Sequence, residues 1–128
     1  MFEKLEEERI NPQFYALRWI MLLMSQDFDM ANCVRLWDTL FSDTIRFDYL
    51  NYVSVAIIQQ VRDEVLDGDF AVCMESLQSQ TRRNTDIQIL LNHAAEVKQF
   101  YDEKRLYERL LKEKADKEAR ATKNNRRW

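Results

Sequence analysis

Apolar residues recur along this chain with the spacing of amphipathic helices. Five stretches show this pattern, and they predict helices over about 12–25, 30–41, 44–66, 69–77 and 85–97. The charged, helix-prone stretch 2–10 predicts one more. The stretch 44–66 is rich in β-branched residues, but it runs without Gly or Pro for far longer than the ~5–6 residues of an ordinary strand, so a helix is favoured. The stretch 12–25 is apolar on nearly every side, which predicts a buried helix.

Capping residues indicate where several of these helices begin and end. Asn11 followed by Pro12 is a helix-start signal, because the Asn side chain accepts from free N–H groups and proline needs no acceptor in the first turn. Asp29 is expected to cap the next helix, and Gly68 to end the helix over 44–66. One glycine and one proline are too few for a β-sheet protein with many turns. The sequence therefore predicts an all-α bundle of about five to seven helices.

The composition changes near residue 101. The segment 102–128 holds ten Lys/Arg and six Asp/Glu residues, a net charge of +4, whereas residues 1–101 carry −7. Such a segment is typical of a solvated helix that frays into a basic end, or of an interaction tail. We therefore predict a helical lobe over residues 1–100 and a long charged helix or disordered tail over residues 101–128. In this segment Leu106, Leu110 and Leu111 form a thin apolar stripe, and Tyr107 lies beside it.

The sequence contains no convergent set of polar residues of the kind that forms a self-contained active site. His93 is the single histidine, which argues against a catalytic triad or a histidine-rich metal site, and we expect it at a helix surface or partly buried. One glycine leaves no Gly-rich phosphate loop. We therefore expect no cofactor, no metal and no catalytic residue. Four aspartates lie near predicted helix ends, and helix capping or solvation explains them better than metal binding does. They are Asp27, Asp29, Asp38 and Asp43.

Cysteine usage and apolar run lengths indicate a compartment. Cys33 and Cys73 lie in apolar helical patterns, as free buried thiols do, and a disulfide between them is the less favoured alternative. The stretch 1–9 is dominated by Glu and is no signal peptide. The longest apolar run, 19–24, is far shorter than a membrane span. The basic tail lacks the interleaved aromatic residues of nucleic-acid binders. We expect a cytoplasmic protein that binds no nucleic acid and reaches membranes only through a partner.

An Arg-Trp pair and a Trp-Asp pair stand out in two successive helices. Arg18 lies among apolar neighbours, and a buried guanidinium needs a carboxylate partner, for which Asp38 is the first candidate. The alternative is a surface arginine that contacts a partner protein. Trp19 and Trp37 are expected where the two helices cross, each buried against the other's helix.

This region also carries a family resemblance. The order of its motifs closely resembles the C-terminal part of TBC domains, in particular the branch of TBC1 domain family member 13. The resemblance covers about 11–97, is strongest over 12–69, and implies the all-α fold of the C-terminal half of a TBC domain. The motifs are FYALRW, SQDF, RLWDTLF and RFDYL, followed by a long apolar helix and LDGDF. They assign family-signature positions, with structural or partner-contacting roles, to Arg18, Trp19, Arg35, Trp37 and Asp38.

The resemblance leaves two alternatives for the function of this chain. TBC domains activate Rab GTPases by supplying an arginine and a glutamine in trans, which stabilise the transferring phosphoryl group and position water. These residues stand in an Ile-x-x-Asp-x-x-Arg motif and a Tyr-x-Gln motif, and neither motif occurs in this sequence. The resemblance thus implies a part of a Rab GTPase-activating protein that supports the catalytic half and Rab binding without being catalytic itself.

The alternative is a non-catalytic, TBC-derived structural or interaction subunit of a larger assembly, which the basic tail favours somewhat. The partner is then either a small GTPase of the Rab family or a subunit of that assembly, and the setting is vesicle trafficking. In both cases we expect a partner to cover apolar surface on the helices over 12–25 and 44–66, because both are hydrophobic on nearly every face.

Overall fold

The computed structural model describes residues 1–78 and 86–125, except for the side chains of 46, 47, 124 and 125. These two ranges contain seven α-helices and one 3₁₀ helix. These ranges contain no strand, so the all-α prediction is confirmed. Thr85, where the last helix was predicted to begin, and the end of the predicted tail lie outside the described residues. The helices are α1 (Phe2–Glu7), the 3₁₀ helix (Pro12–Phe14), α2 (Ala16–Met21), α3 (Met30–Ser42), α4 (Arg46–Gln60), α5 (Arg62–Asp67), α6 (Phe70–Gln78) and α7 (Ile87–Asn125).

The chain forms two units, Met1–Val97 and Lys98–Trp128. The first unit contains α1 to α6 and the start of α7, and it holds the hydrophobic core. The described part of the second unit is a single helical segment. Near its start, Lys98 pairs with Asp102 at 2.8 Å. Gln99 donates a hydrogen bond to Glu103 at 2.9 Å. Both contacts join residues four apart, the spacing at which side chains stabilise a helix.

α4 lies at the centre of the core of the first unit. It contacts α2, α3 and α5, and the Tyr49 hydroxyl donates to the Leu91 carbonyl oxygen of α7 at 3.1 Å. Most of its described apolar side chains are covered by the chain itself. Its buried residues are Tyr49, Leu50, Tyr52, Val53, Ala56 and Ile57.

The single helix predicted over 44–66 is wrong, because the structure divides it at Val61. α4 ends at Gln60 and α5 begins at Arg62. The two helices have different neighbours: α4 packs on α2 and α3, whereas α5 packs on α1 and α6. Val61 is itself fully buried. Tertiary packing sets this break, and no Gly or Pro marks it in the sequence.

The predicted helix over 12–25 is also shorter than expected. Asn11 caps its start as predicted, since Asn11 Oδ1 accepts from the Gln13 backbone N–H at 2.9 Å. The chain then forms the 3₁₀ helix and α2, which ends at Met21. Leu23 and Met24 follow in the left-handed region, with φ of 47° and 58°. We call residues 22–28 the α2–α3 turn. Left-handed backbone costs a non-glycine residue about 1–2 kcal/mol, so local sequence gives no hint of this turn.

Gly68 ends α5 as predicted, but for a different reason. Its φ is −87°, which any residue can adopt, so left-handed backbone is not what requires glycine. A Cβ atom at this position would lie 2.7 Å from the Glu64 carbonyl oxygen and 2.7 Å from Cγ1 of Val72. α6 starts immediately afterwards, with Asp69 Oδ1 accepting from the Val72 N–H at 3.0 Å. The close approach of α5 and α6 therefore requires a residue without a side chain.

Both cysteines are buried and free, which confirms the prediction of unpaired thiols. The Cys73 thiol donates to the Val65 carbonyl oxygen at 3.3 Å. Burial raises the pKa of the Cys33 and Cys73 thiols. Because the thiolate is the reactive form, both groups should react slowly in the folded protein.

We therefore expect iodoacetamide at pH 8 to modify Cys33 and Cys73 slowly in buffer and rapidly in concentrated urea, where burial no longer suppresses the thiolate. Mass spectrometry of digests taken at intervals measures the modified fraction at each position. The urea sample is the control, since it gives the rate for the same thiols when exposed. Equal rates in buffer and in urea would contradict the buried position of these residues.

Candidate functional site

The partner predicted for Arg18 is wrong. Its Nη2 pairs with Oδ1 of Asp27 at 2.6 Å, whereas Asp38 lies exposed on α3. The Asp27 side chain is 1% exposed and that of Arg18 is 35% exposed. Asp27, expected to be a capping or solvated residue, is therefore the buried acid of the pair. The two left-handed residues before it turn the chain back, which brings Asp27 to α2.

Further hydrogen bonds join this ion pair to α6. Arg18 Nη2 also donates to the Gln78 carbonyl oxygen at 3.3 Å. The Gln78 side-chain amide donates to the Phe14 carbonyl oxygen at 3.0 Å. Arg18 Nε and Asp27 Oδ2 are buried without a hydrogen-bond partner among the described residues. Desolvation of such a pair costs several kcal/mol, so the pair fixes the position of the α2–α3 turn rather than adding much stability.

The two tryptophans differ in burial. Trp19 is fully buried, as predicted, and its ring meets that of Tyr15 edge-on with 5.2 Å between centroids. Trp37 packs against the core but is only partly buried, so its predicted burial is met in part. Its Nε1 donates to the Leu23 carbonyl oxygen at 2.9 Å. Trp37 thus holds α3 against the α2–α3 turn.

Arg35 joins two helices at the surface. Its Nη1 donates to the Thr39 hydroxyl at 2.6 Å, and its Nη2 donates to the Gln88 side-chain oxygen of α7 at 3.0 Å. Asp38 is exposed on the same helix, α3. The five signature residues therefore do not converge on one cleft. Within residues 1–78 and 86–125, no three of His, Cys, Asp and Glu lie close enough together to hold a metal ion.

Exposed apolar side chains lie along the 3₁₀ helix and α2, beside the fully buried Trp19. Met21 is 71% exposed and Phe14 is 52% exposed. Leu17 lies one helical turn before Met21 and Ile20, so these side chains are neighbours on the surface. The predicted burial on nearly every side is therefore not achieved within this chain. We call this row the α2 face; it comprises Phe14, Leu17, Ile20, Met21 and Leu22.

A family comparison covers this region. A family model for the Rab-GTPase-TBC domain matches residues 1–66. That match takes in more than half of the chain, including the α2 face, the Arg18–Asp27 pair and Trp37. The chain belongs to the Rab-GTPase-TBC domain family. The resemblance drawn from the sequence motifs is therefore confirmed.

Individual TBC relatives agree with the family match. TBC1 domain family member 13 of Homo sapiens is 42% identical over 97 residues, which make up 76% of this chain and 24% of that protein. The Mus musculus protein of the same name is 42% identical over 97 residues. TBC1 domain family member 5 of Mus musculus is 30% identical over 74 residues, covering 58% of this chain and 9% of that protein. This TBC chain spans about a quarter of the length of the member 13 proteins. No solved structure matches it.

The sequence patterns of this TBC chain do not predict the roles of two residues at the site. Asp27 is the partner of Arg18, and Gln78 receives and donates hydrogen bonds that close the network. Gln78 is 60 residues from Arg18 in sequence, so no local pattern connects them. The only signal for Asp27 is that it follows directly after an apolar helix that contains an arginine.

None of the helices in the described part of the chain is long and apolar enough to cross a membrane.

Proposed function

We propose that this chain is the C-terminal lobe of a TBC domain and part of a Rab GTPase-activating protein. In this role it supports the catalytic half of the domain and contributes to Rab binding, but it does not itself supply the catalytic side chains. Family membership and the 42% identity to member 13 of the TBC1 family support the first part of this proposal. The geometry of α2 supports the second part.

The α2 face is the observation that carries the proposal. Five large apolar side chains within nine residues of the 3₁₀ helix, α2 and its C-terminal end stay exposed, whereas Trp19 of α2 is fully buried. Fully burying a side chain of this size stabilises by about 1.5–3 kcal/mol relative to leaving it exposed. An exposed row of this kind marks an interface in soluble proteins. Its place inside the segment that matches the family model makes the rest of a TBC domain the expected occupant.

The arginines at the signature positions support a non-catalytic role. An arginine finger must reach out of its own protein to the phosphates bound by a GTPase. Arg18 is instead held by Asp27 and the Gln78 carbonyl oxygen. Arg35 is held by Thr39 and Gln88. Neither motif that carries the finger residues in the family occurs in the sequence.

We expect the chain alone to leave GTP hydrolysis by Rab proteins at its intrinsic rate, because an arginine finger contributes ~10³–10⁵-fold to the rate. Single-turnover hydrolysis by a panel of purified Rab proteins, with and without the chain, measures this. Stimulation of more than a few-fold that disappears when Arg18 or Arg35 is replaced would sink the proposed non-catalytic role.

A complementation experiment tests the supporting role. A polypeptide with the N-terminal, motif-bearing half of the human member 13 TBC domain is added to the chain, and binding and GTP hydrolysis are measured. We expect the two polypeptides to bind each other and together to increase the rate of GTP hydrolysis by a Rab protein. The substitution Met21→Asp should abolish both effects. Met30→Asp is the matched control, since Met30 is also highly exposed, at 77%, but lies at the start of α3. Binding without faster hydrolysis would favour the alternative, a structural subunit of a larger assembly.

A further inference from the structure

The second unit carries a row of exposed apolar side chains of its own. Phe100 is 63% exposed and Tyr107 is 62% exposed, and the three leucines 106, 110 and 111 are each about half exposed. A shallow groove follows this side of the helix, lined by Tyr107, Leu110, Leu111, Glu113, Lys114 and Lys117. An isolated helix in water gains no stability from apolar side chains aligned along one exposed side. The row therefore indicates a surface that a second helix covers.

Three members of this row, Phe100, Tyr107 and Leu110, have the spacing of a coiled-coil seam. Alternating steps of three and four residues, starting at Phe100, define the first and fourth positions of a heptad. Leu106 and Leu111 fall at the positions that flank such a seam. The segment is ~27 Å long at 1.5 Å per residue. We call this set the unit 2 seam; it consists of Phe100, Glu103, Tyr107, Leu110, Lys114 and Lys117.

We propose that the unit 2 seam pairs with the same seam of a second copy of this chain, with the two helices antiparallel. The charged seam residues decide the direction. In a parallel pair in register, each seam residue faces its own copy, so Glu103, Lys114 and Lys117 would each meet an identical charge. Three like-charged layers out of six make this arrangement unfavourable.

An antiparallel pair places first-position residues opposite fourth-position residues, and every layer then becomes complementary. Tyr107 packs against the partner's Leu110, which gives two apolar layers at the centre. Glu103 meets the partner's Lys114 on both sides of this centre. At each end Phe100 meets the partner's Lys117, whose ammonium group can lie over the aromatic ring.

The conformation of Glu103 in the single chain is compatible with this pairing. One carboxylate oxygen, Oε1, accepts from the Gln99 side-chain amide at 2.9 Å. A carboxylate has two oxygens that each accept hydrogen bonds, so Oε2 can accept from the partner's Lys114 without loss of the first contact. Only two of the six layers are purely apolar, so we expect a weak, concentration-dependent dimer rather than a permanent one.

Charge reversal in the full chain tests the proposal. Sedimentation equilibrium from low to high micromolar concentration should show a monomer–dimer equilibrium for the wild-type chain. Glu103→Lys and Lys114→Glu each create two like-charged layers and should weaken dimerisation at least about tenfold, because like charges in contact are strongly unfavourable. The double variant Glu103→Lys/Lys114→Glu restores opposite charges and should restore the dimer. A parallel dimer would not respond in this pattern, since its layers stay like-charged in all three variants.

Two controls separate the seam from other surfaces. Lys112→Glu reverses a charge on the outer side of the same helix and should leave the dimer unchanged. Met21→Asp, on the α2 face, should also leave it unchanged, so this experiment is independent of the proposed TBC function. Circular dichroism of each variant confirms that the helix persists. A wild-type chain that stays monomeric at the highest concentration, or a double variant as weak as the single ones, would overturn the proposal.

Discussion

Trp19→Ala is expected to lower the free energy of unfolding of the first unit by about 3–5 kcal/mol, the range found for truncation of large buried aromatic side chains. Trp19 is fully buried and its ring packs edge-on against Tyr15. Its loss leaves a cavity beneath α2 that the surrounding helices can fill only in part. Urea unfolding followed by far-ultraviolet circular dichroism measures the effect without relying on tryptophan fluorescence.

Trp19→Phe is the matched control for this substitution. The indole Nε1 of Trp19 is buried and has no hydrogen-bond acceptor among the described residues. Phenylalanine keeps most of the ring and removes this N–H group, so we expect a stability within about 1 kcal/mol of wild type. Trp37→Ala should cost less than Trp19→Ala, since Trp37 is only partly buried. A Trp19→Ala variant that unfolds within about 0.5 kcal/mol of wild type would place Trp19 at the surface instead.

The second large effect is expected at the ion pair. Arg18→Met leaves the Asp27 carboxylate, whose side chain is 1% exposed, without its cationic partner. Breaking a buried pair from one side costs about 3–5 kcal/mol. Asp27→Asn should cost less, because the Arg18 side chain is 35% exposed and its charge can turn toward water. Urea unfolding of these two single variants measures the asymmetry.

The double variant Arg18→Met/Asp27→Leu provides the decisive comparison. It removes both charges and fills the site with apolar atoms, so we expect it to recover most of the stability lost in Arg18→Met. Equal costs for Arg18→Met and Asp27→Asn would contradict the predicted asymmetry. A loss in the double variant equal to the sum of the losses in Arg18→Met and Asp27→Leu, each measured alone, would show that the two side chains are energetically independent.

The features that the sequence predicted correctly depend on neighbouring residues. The Asp29 cap of α3 requires only a side chain that reaches three residues ahead, and the structure has it, with the Asn32 N–H at 2.8 Å. The all-α fold follows from helical spacing and the scarcity of glycine and proline. Burial of Cys33 and Trp19 follows from their positions in apolar patterns. These predictions succeed because contacts within one or two helical turns determine them.

The predictions that failed depend on contacts between distant segments. The break at Val61 results from different packing partners for α4 and α5, which no residue near Val61 specifies. The sequence favours Asp38 as the partner of Arg18 because Asp38 stands beside Trp37. The true partner, Asp27, is brought to α2 by left-handed backbone at residues that rarely adopt it. A sequence pattern gives little information about such a reversal, because tertiary contacts compensate its local cost.

The candidate site shows the same division. The motif resemblance indicates the region of Arg18 and Trp19, which lies inside the segment that matches the family model. Hydrophobicity alone indicated that α2 should be covered on all sides, but it could not distinguish the side covered by this chain from the side left exposed. That distinction needed the structure, which buries Trp19 and leaves Met21 exposed.

The backbone conformation of the α2–α3 turn limits which residues can occupy its left-handed positions. For the backbone alone, glycine would be the best residue at Leu23 and Met24, because their φ angles are positive. For the core, glycine would be a poor choice, since the Met24 side chain is fully buried. The two demands conflict, so this segment is locally frustrated: its own conformational preferences oppose the shape it adopts. The turn therefore depends on contacts with the rest of the lobe, in which Trp37 bonds to the Leu23 carbonyl oxygen and Arg18 pairs with Asp27.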